Sequence, residues 1–123
     1  MYTRVLVTYS TRAGSTEEVA QAIGSELKRE GLLIDVRLID EVESIKEYQA
    51  VVIGSPIRAG RWVPENFKFL DKNHERLSQI PVAYFTVCMT LHDDTPENRA
   101  IVQGYHDVIL RLYPEIEPIS IGM

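Results

Sequence analysis

Residues 4–16 of the sequence read Arg-Val-Leu-Val-Thr-Tyr-Ser-Thr-Arg-Ala-Gly-Ser-Thr, and this stretch decides the class of fold. Its first half contains Val5-Leu6-Val7, a short run rich in branched residues that is typical of a strand buried on both faces. A hydroxyl-rich turn follows, and residues 16–30 then repeat apolar side chains at helical spacing until Gly31, a natural helix stop. The stretch therefore predicts a buried strand that leads directly into an amphipathic helix.

The same alternation of strand and helix patterns continues along the chain. Further strands are predicted over residues 32–39, 50–53, 81–87 and 116–121, and further helices over residues 45–48, from Pro64 to Leu77 and after Thr95. The second strand alternates apolar with charged residues and the fifth contains Pro118, and both features are typical of sheet edges. The pattern predicts an α/β fold, a doubly wound parallel sheet of five strands in the order 2-1-3-4-5, formed as a single domain over residues 1–123.

The sequence ends at Gly122-Met123, directly after the fifth predicted strand, without a final helix to cover the adjacent sheet face. Because a face of a parallel sheet is rarely left uncovered, we expect either that a partner covers it or that the sequence is part of a longer chain. The second alternative is the favoured one. The oligomeric state stays open, with a homodimer as one option.

Composition and charge exclude several classes of function. Of the 123 residues, 45% are hydrophobic and 25% are charged, the ordinary balance of a globular domain. The net charge of −5 argues against binding to nucleic acid, which is itself a polyanion. No apolar stretch is long enough for a transmembrane helix, and the single cysteine, Cys88, excludes an internal disulfide and a cysteine zinc cluster. We expect a cytoplasmic protein without a metal site.

The predicted strand order places a candidate binding site between the first and third strands, where the order reverses and ligands bind beyond the carboxyl ends. Three predicted loops meet there, over residues 9–16, 54–63 and 88–95. In the first loop, backbone amides and hydroxyl groups would face one point in front of the helix, which is typical of a phosphate site. The residues of this predicted phosphate site are Ser10, Thr11, Arg12, Ala13, Gly14, Ser15 and Thr16.

A second interpretation of the first loop is equally well supported by its composition. Ser15 and Glu18 fit a capping box, in which the hydroxyl groups would only cap the helix. Two other kinds of phosphate site are disfavoured. The loop lacks the lysine of nucleotide-hydrolysing proteins and the three glycines of a dinucleotide site.

The spacing Tyr9-x-Thr11-x-x-Gly14-x-Thr16-x-x-x-Ala20-x-x-Ile23 resembles the signature of the flavodoxin family, in which this loop binds the 5′-phosphate of FMN. The residue order Tyr-Ser-Thr-Arg-x-Gly-x-Thr is similar to the flavodoxin-like protoporphyrinogen dehydrogenases of the menaquinone type, and residues 51–60 resemble the second loop of the same group. Thr8 departs from the signature, which usually has an apolar or aromatic residue before the tyrosine. The resemblance implies a flavodoxin-like fold and FMN as the cofactor.

The resemblance also implies that the second and third loops border the flavin ring. The residues expected there are Pro56, Ile57, Arg58, Ala59, Gly60, Trp62, Val87, Cys88, Met89 and Thr90. For Trp62, stacking on the ring and packing against the next helix are equally supported. Arg58 and Arg61 would either contact an anionic substrate or partner or simply be solvated. Cys88 is more typical of a small core residue than of a redox thiol.

The favoured function is an FMN-binding oxidoreductase or electron-transfer protein, in which the cofactor supplies the redox chemistry and no catalytic side chain is required. Its partner would be a redox protein or a small molecule such as a porphyrinogen or a quinone. The alternative is a cofactor-free interaction or scaffold module on the same fold. A phosphoacceptor receiver domain is disfavoured, because Tyr9-Ser10 and Gly54-Ser55 stand where that class needs acidic residues.

Overall fold

The elements of secondary structure follow the predicted alternation. The computed structural model of the chain describes residues 3–11, 15–58, 61–87 and 120–122, together with residues 96, 97, 100, 103, 107, 110–114 and 116. The strands are β1 (Arg4–Tyr9), β2 (Leu33–Leu38), β3 (Ala50–Arg58), β4 (Arg61–Trp62), β5 (Val82–Val87) and β6 (Ser120–Gly122). The helical elements are α1 (Ser15–Arg29), a 3₁₀ turn (Ile39–Glu41) and α2 (Pro64–Leu77), and residues 96, 97, 100, 103, 107 and 110–112 are also helical.

The parallel strands lie in the order β2-β1-β3-β5-β6, which confirms the predicted order of the sheet. The two strands with edge-like sequence patterns, β2 and β6, lie at the two ends of this order. The short strand β4 is an addition that the sequence patterns do not predict. Its two residues pair antiparallel with the end of β3, with Trp62 opposite Ile57 and Arg61 opposite Arg58. This pairing brings the start of α2 back to the carboxyl end of β3.

Helices cover both faces of the sheet, as expected for a doubly wound fold. On one face, apolar side chains of α1 pack against those of β1 and β5, namely Ala20, Ile23, Leu27, Val7 and Phe85. On the other face, apolar side chains of α2 pack against those of the same two strands, namely Phe69, Leu70, Leu77, Leu6 and Tyr84. Within the described part of the chain, no helix is long and apolar enough to cross a bilayer.

The prediction of a short helix over residues 45–48 is wrong. The Ser44 hydroxyl accepts a hydrogen bond from the amide of Lys46 (3.3 Å), two residues ahead, whereas a capping box uses the amide three residues ahead. Tyr48 turns inward instead, and its hydroxyl donates to the Asp35 carboxylate on β2 (2.7 Å). This contact holds the segment against the edge of the sheet in an irregular conformation.

The hydrogen bond between Tyr48 and Asp35 shifts the titration of both groups. Burial, together with the neighbouring carboxylate, raises the pKa of Tyr48 to about 12. The hydrogen bond from Tyr48, together with the Arg4 guanidinium at 3.1 Å, lowers the pKa of Asp35. The stabilisation from Asp35 is lost as the pH falls through its lowered pKa, and that from Tyr48 is lost as the pH rises from 10 towards 12. The pair therefore stabilises this edge of the sheet over the whole neutral range.

The ring of Phe85 lies directly across the backbone of its register partner, Gly54. A Cβ atom at position 54 would lie 1.9 Å from Cζ of that ring, far inside van der Waals contact. The backbone conformation at position 54 does not itself require glycine. Among the described glycines, the one with a positive φ is Gly31, at 86°. The aromatic ring, and not the backbone dihedral, therefore excludes a side chain at this position, where the pairing of β3 with β1 ends.

Replacing Gly54 with alanine should lower the free energy of unfolding by about 2–3 kcal/mol, because the added methyl group displaces the Phe85 ring from the core. Urea unfolding followed by circular dichroism measures this loss. In a Phe85→Leu background, the same substitution should cost clearly less, since the smaller side chain leaves room for the methyl group. Equal costs in the two backgrounds would show that the ring is not what excludes a side chain at position 54.

Candidate functional site

The carboxyl ends of β1, β3 and β5 lie side by side, because these three strands are parallel neighbours in the sheet. The register pairs Tyr9 with Gly54 and Pro56 with Val87 close to these ends. The structure therefore brings together the ends of the three strands that precede the predicted site loops. This is also where the strand order reverses, between β1 and β3. The predicted extent of the second loop, residues 54–63, is wrong, because β3 continues to Arg58 by pairing with β5 and β4. Pro56, Ile57 and Arg58 therefore lie on the strand, and Trp62 lies on β4.

Several predicted site residues lie outside the described residues. They are Arg12, Ala13, Gly14, Ala59, Gly60, Cys88, Met89 and Thr90, together with the side chains of Ser15 and Arg58. The roles assigned to them from the sequence stay predictions. The predicted residues whose surroundings are described are Ser10, Thr11, Thr16, Pro56, Ile57, Trp62 and Val87.

Thr11 and Thr16 stand on either side of the turn between β1 and α1. Since β1 ends at Tyr9 and α1 begins at Ser15, Thr16 lies in the first turn of the helix. The backbone N–H groups of a first turn have no partner within the helix and are available to an anion. Thr16 is buried and Thr11 is half-buried. The turn thus combines hydroxyl groups with helix amides, which is the donor set that a phosphate group requires.

Ser10 directs both of its donors into the protein. Its amide donates to the carbonyl oxygen of Gly54 (3.3 Å), and its hydroxyl donates to Oδ1 of Asn66, which is fully buried. Nδ2 of Asn66 donates in turn to the same Gly54 carbonyl oxygen (3.0 Å). The prediction that the Ser10 hydroxyl faces a phosphate does not fit this geometry, because both donors are already used. Ser10 instead connects β1 to β3 by way of α2.

A second buried hydroxyl, that of Ser55, fixes the start of α2 against β3. Its Oγ donates to the carbonyl oxygen of Pro56 (2.7 Å) and accepts from the amide of Val63 (3.2 Å), the residue directly before α2. The valine side chain has no acceptor with which to cap the helix. The Ser55 hydroxyl therefore connects the junction of β4 and α2 to the carboxyl end of β3.

Trp62 is buried in the core, with 1% of its surface exposed. Its indole N–H donates to Thr86 Oγ1 on β5 (3.0 Å), and its ring meets the Tyr84 ring edge to face, with centroids 5.4 Å apart and planes at 84°. A ring that is enclosed in this way has no free face on which a flavin could stack. Of the two interpretations that the sequence supports equally, the structure favours packing.

Tyr9 lies near two carboxylates at the end of β1. Burial raises the pKa of its hydroxyl above 10.0, and the charges of Glu17 and Glu41, with a hydrogen bond to Glu17, raise it further. The hydroxyl therefore stays protonated at neutral pH. The two glutamates give this side of the site a negative charge, whereas Tyr9 itself adds none.

Sequence reasoning missed Asn66 and Ser55, although the pattern contains a signal for each. Asn66 lies on the same face of α2 as the buried Leu70, so a polar residue interrupts an otherwise apolar stripe. Ser55 follows Ile53 at a spacing of two, so it faces the same buried side of β3. A polar residue at a core position near the end of a strand indicates a buried hydrogen bond, since unpaired polar groups are rare in protein interiors.

Comparison with known proteins connects this geometry to one family. The model of a family described as flavodoxin domain matches residues 6–113. Protoporphyrinogen IX dehydrogenase (quinone) of Escherichia coli strain K12 is 35% identical over 98 residues, which are 78% of this chain and 53% of that protein. The chain thus spans about half the length of this curated relative.

Solved structures of flavodoxins share the fold. A flavodoxin from the domain Archaea gives a TM-score of 0.69 at 20% identity, covering 97% of this chain and 82% of that one. A flavodoxin variant from Fusobacterium nucleatum, bound to flavin mononucleotide, gives a TM-score of 0.58 at 12% identity, covering 98% of this chain and 68% of that one. These likenesses confirm the flavodoxin-like fold that the sequence resemblance implies.

Replacing Trp62 with phenylalanine should lower the free energy of unfolding by about 1–3 kcal/mol, because the buried Thr86 hydroxyl loses its indole donor and a small cavity remains. The Kd for FMN, measured by fluorescence titration, should change less than about twofold, which is about 0.4 kcal/mol. Thr86→Val is the matched control, since it removes the same hydrogen bond from the other side and should have a similar cost. Retained stability with a tenfold weaker affinity for FMN would favour ring stacking instead.

Proposed function

The chain belongs to the flavodoxin domain family, and on that premise we propose that it binds FMN at the carboxyl end of its sheet, as the flavin domain of an oxidoreductase. The observation that carries the proposal is the turn from β1 into α1, which places Thr11 and Thr16 at the point where the strand order reverses. The FMN bound by the Fusobacterium nucleatum flavodoxin, which has the same fold, supports this choice of ligand.

The donors at the turn fit a phosphate monoester. The 15 residues of α1 align their peptide dipoles, so the first turn carries a partial positive charge. Thr11 and Thr16 add two hydroxyl groups on either side of that charge. Glu17, in the same turn of α1, would repel an anion and offset part of this attraction, because its hydrogen bond from the neutral Tyr9 leaves the carboxylate charged.

The strand ends beside the turn offer apolar surface for a flat aromatic ring. Ile57 near the end of β3 and Val87 at the end of β5 are half-buried apolar residues, and the buried Pro56 pairs with Val87. Sites for aromatic ligands are mostly apolar, with a few polar groups that fix the orientation. The hydrogen bonds of Ser55 and Asn66 hold in place the strand end from which the ring-binding loop leaves.

When bound, FMN supplies the electron-transfer chemistry, whereas the protein supplies binding, orientation and electrostatics. The buried side chains beneath the site, those of Ser10, Asn66 and Ser55, are uncharged, and they bond to one another (Ser10 with Asn66) or to backbone groups (Ser55). The protonated Tyr9 adds no charge. Glu17 and Glu41 disfavour additional negative charge on their side of the site, which opposes reduction to an anionic form of the ligand.

The substrate class that we propose is a porphyrinogen as electron donor and a quinone as electron acceptor. The name of the Escherichia coli relative, protoporphyrinogen IX dehydrogenase (quinone), supports this pairing. The exposed Arg61, opposite Arg58 in the pairing of β3 with β4, would attract the carboxylates of a porphyrinogen. A redox protein as electron donor is the other predicted partner, and turnover assays with each donor distinguish the two.

Titration with the chain should quench the fluorescence of FMN. A variant with both Thr11→Ala and Thr16→Ala should bind FMN at least about 100-fold more weakly, because each hydroxyl bond to a charged phosphate contributes about 1.5–3 kcal/mol. Fluorescence titration of both proteins measures the difference.

The matched control is a variant with both Thr3→Ala and Ser25→Ala. Thr3 directly precedes β1 and Ser25 lies on α1, and both are exposed, so the same number of hydroxyl groups is removed from the same part of the fold. This control should keep the affinity of the wild type. A wild-type chain that does not quench FMN would overturn the proposal and favour a cofactor-free module.

A further inference from the structure

Asn66 lies in the first turn of α2 and is fully buried, although asparagine is a weak helix former and is seldom found in a core. Its carboxamide makes one hydrogen bond to the residue after β1 and one to β3. Oδ1 accepts from the Ser10 hydroxyl after β1, and Nδ2 donates to the carbonyl oxygen of Gly54 in β3 (3.0 Å). These two bonds, and not packing, explain a polar side chain at this position.

The partners of Asn66 join the start of the proposed phosphate-binding turn to β3. Ser10 directly precedes Thr11 and the turn into α1, and Gly54 is the last residue of β3 that pairs with β1, in the strand that continues to Arg58 and the second loop. The backbone hydrogen bond at this point, from the Ser10 amide to the Gly54 carbonyl oxygen, is long at 3.3 Å. Asn66 thus reinforces the connection between β1 and β3 where the ladder between them weakens.

The spacing of the two loops has a specific consequence for the ligand. FMN would occupy both loops at once, with its phosphate at the turn and its ring at the second loop. A ligand that spans two subsites gains the full affinity of both only while the subsites keep the matching distance. Riboflavin lacks the phosphate, so its affinity depends on the contacts to the ring and not on the phosphate-binding turn.

We propose that Asn66 is a positioning residue that aligns the phosphate-binding turn with the ring-binding loop, and that it thereby sets the preference of this site for FMN over riboflavin. The inference rests on the proposed function, because it needs FMN as the ligand. Asn66 acts through Ser10 and Gly54, and its own polar atoms are used inside the protein.

The test is the ratio of the affinities for FMN and riboflavin, measured by fluorescence quenching. In Asn66→Leu and in Ser10→Ala, this ratio should fall at least about tenfold, while the Kd of riboflavin changes less than about threefold. In the variant with both substitutions, the ratio should fall no further than in the single variant with the larger fall. The reason is that the two side chains act as one unit. A general loosening of the fold would weaken both ligands together.

Thr8→Val is the control for a change on the same face of β1. The Thr8 hydroxyl is buried and has no hydrogen-bond partner among the described residues, so its removal should leave the affinity ratio unchanged. Circular dichroism and urea unfolding establish that each variant is folded. If Asn66→Leu does not fold, Ser10→Ala decides the question, since it removes a single hydroxyl group.

The possible outcomes separate this inference from the function on which it rests. A wild-type chain that prefers FMN, with variants that lose this preference, supports the inference. If the wild type prefers FMN and the folded variants keep the preference, or lose both ligands equally, the inference is overturned and the proposed function stands. A wild-type chain that binds neither flavin overturns both.

Discussion

The parallel pairing of β1 with β3 is the constraint on which the rest of the structure depends. It sets Tyr9 beside Gly54, so the turn into α1 leaves the sheet alongside the carboxyl-terminal half of β3, which continues to Arg58. Polar groups buried at that point must find partners inside the protein, since each unpaired group costs about 1–3 kcal/mol. Ser10, Ser55 and Asn66 meet this requirement through bonds to one another and to the backbone. The strand ends are therefore fixed without the help of a ligand.

The amino ends and the carboxyl ends of the strands are stabilised in different ways. Near the amino end of β1, Arg4 pairs with Asp35, and the buried Tyr48 donates to the same carboxylate. The ion pair is partly exposed and contributes little by itself, so the short, half-buried hydrogen bond from Tyr48 is the stronger contact. At the carboxyl end, the buried polar side chains of Ser10, Ser55 and Asn66 are neutral. Charged side chains near the candidate site therefore lie at its surface, where they would contact a ligand.

The sequence patterns could predict the strand order because the burial of a strand determines which residue types it contains. A strand covered on two faces has a continuous apolar run, as in Val5-Leu6-Val7 of β1, whereas an edge strand alternates, as in β2. The predictions that failed concern contacts between residues that are far apart in the sequence. The capping-box pattern at Ser44 could not show that Tyr48 would bind Asp35, and the flavodoxin signature could not show where the donors of Ser10 point. The acceptor of the Ser10 hydroxyl lies 56 residues away in the sequence, beyond the reach of any local pattern.

Backbone amide NMR of the nitrogen-15-labelled chain, titrated separately with FMN and with riboflavin, locates each part of the ligand on the fold. The amides of Thr11 and Thr16 should shift strongly with FMN and hardly at all with riboflavin. The amide of Ile57 should shift with both ligands, and that of Tyr48, at the edge of the sheet, with neither. Shifts at Thr11 and Thr16 that are equal for the two flavins, or FMN shifts centred on Tyr48, would contradict the placement of the site.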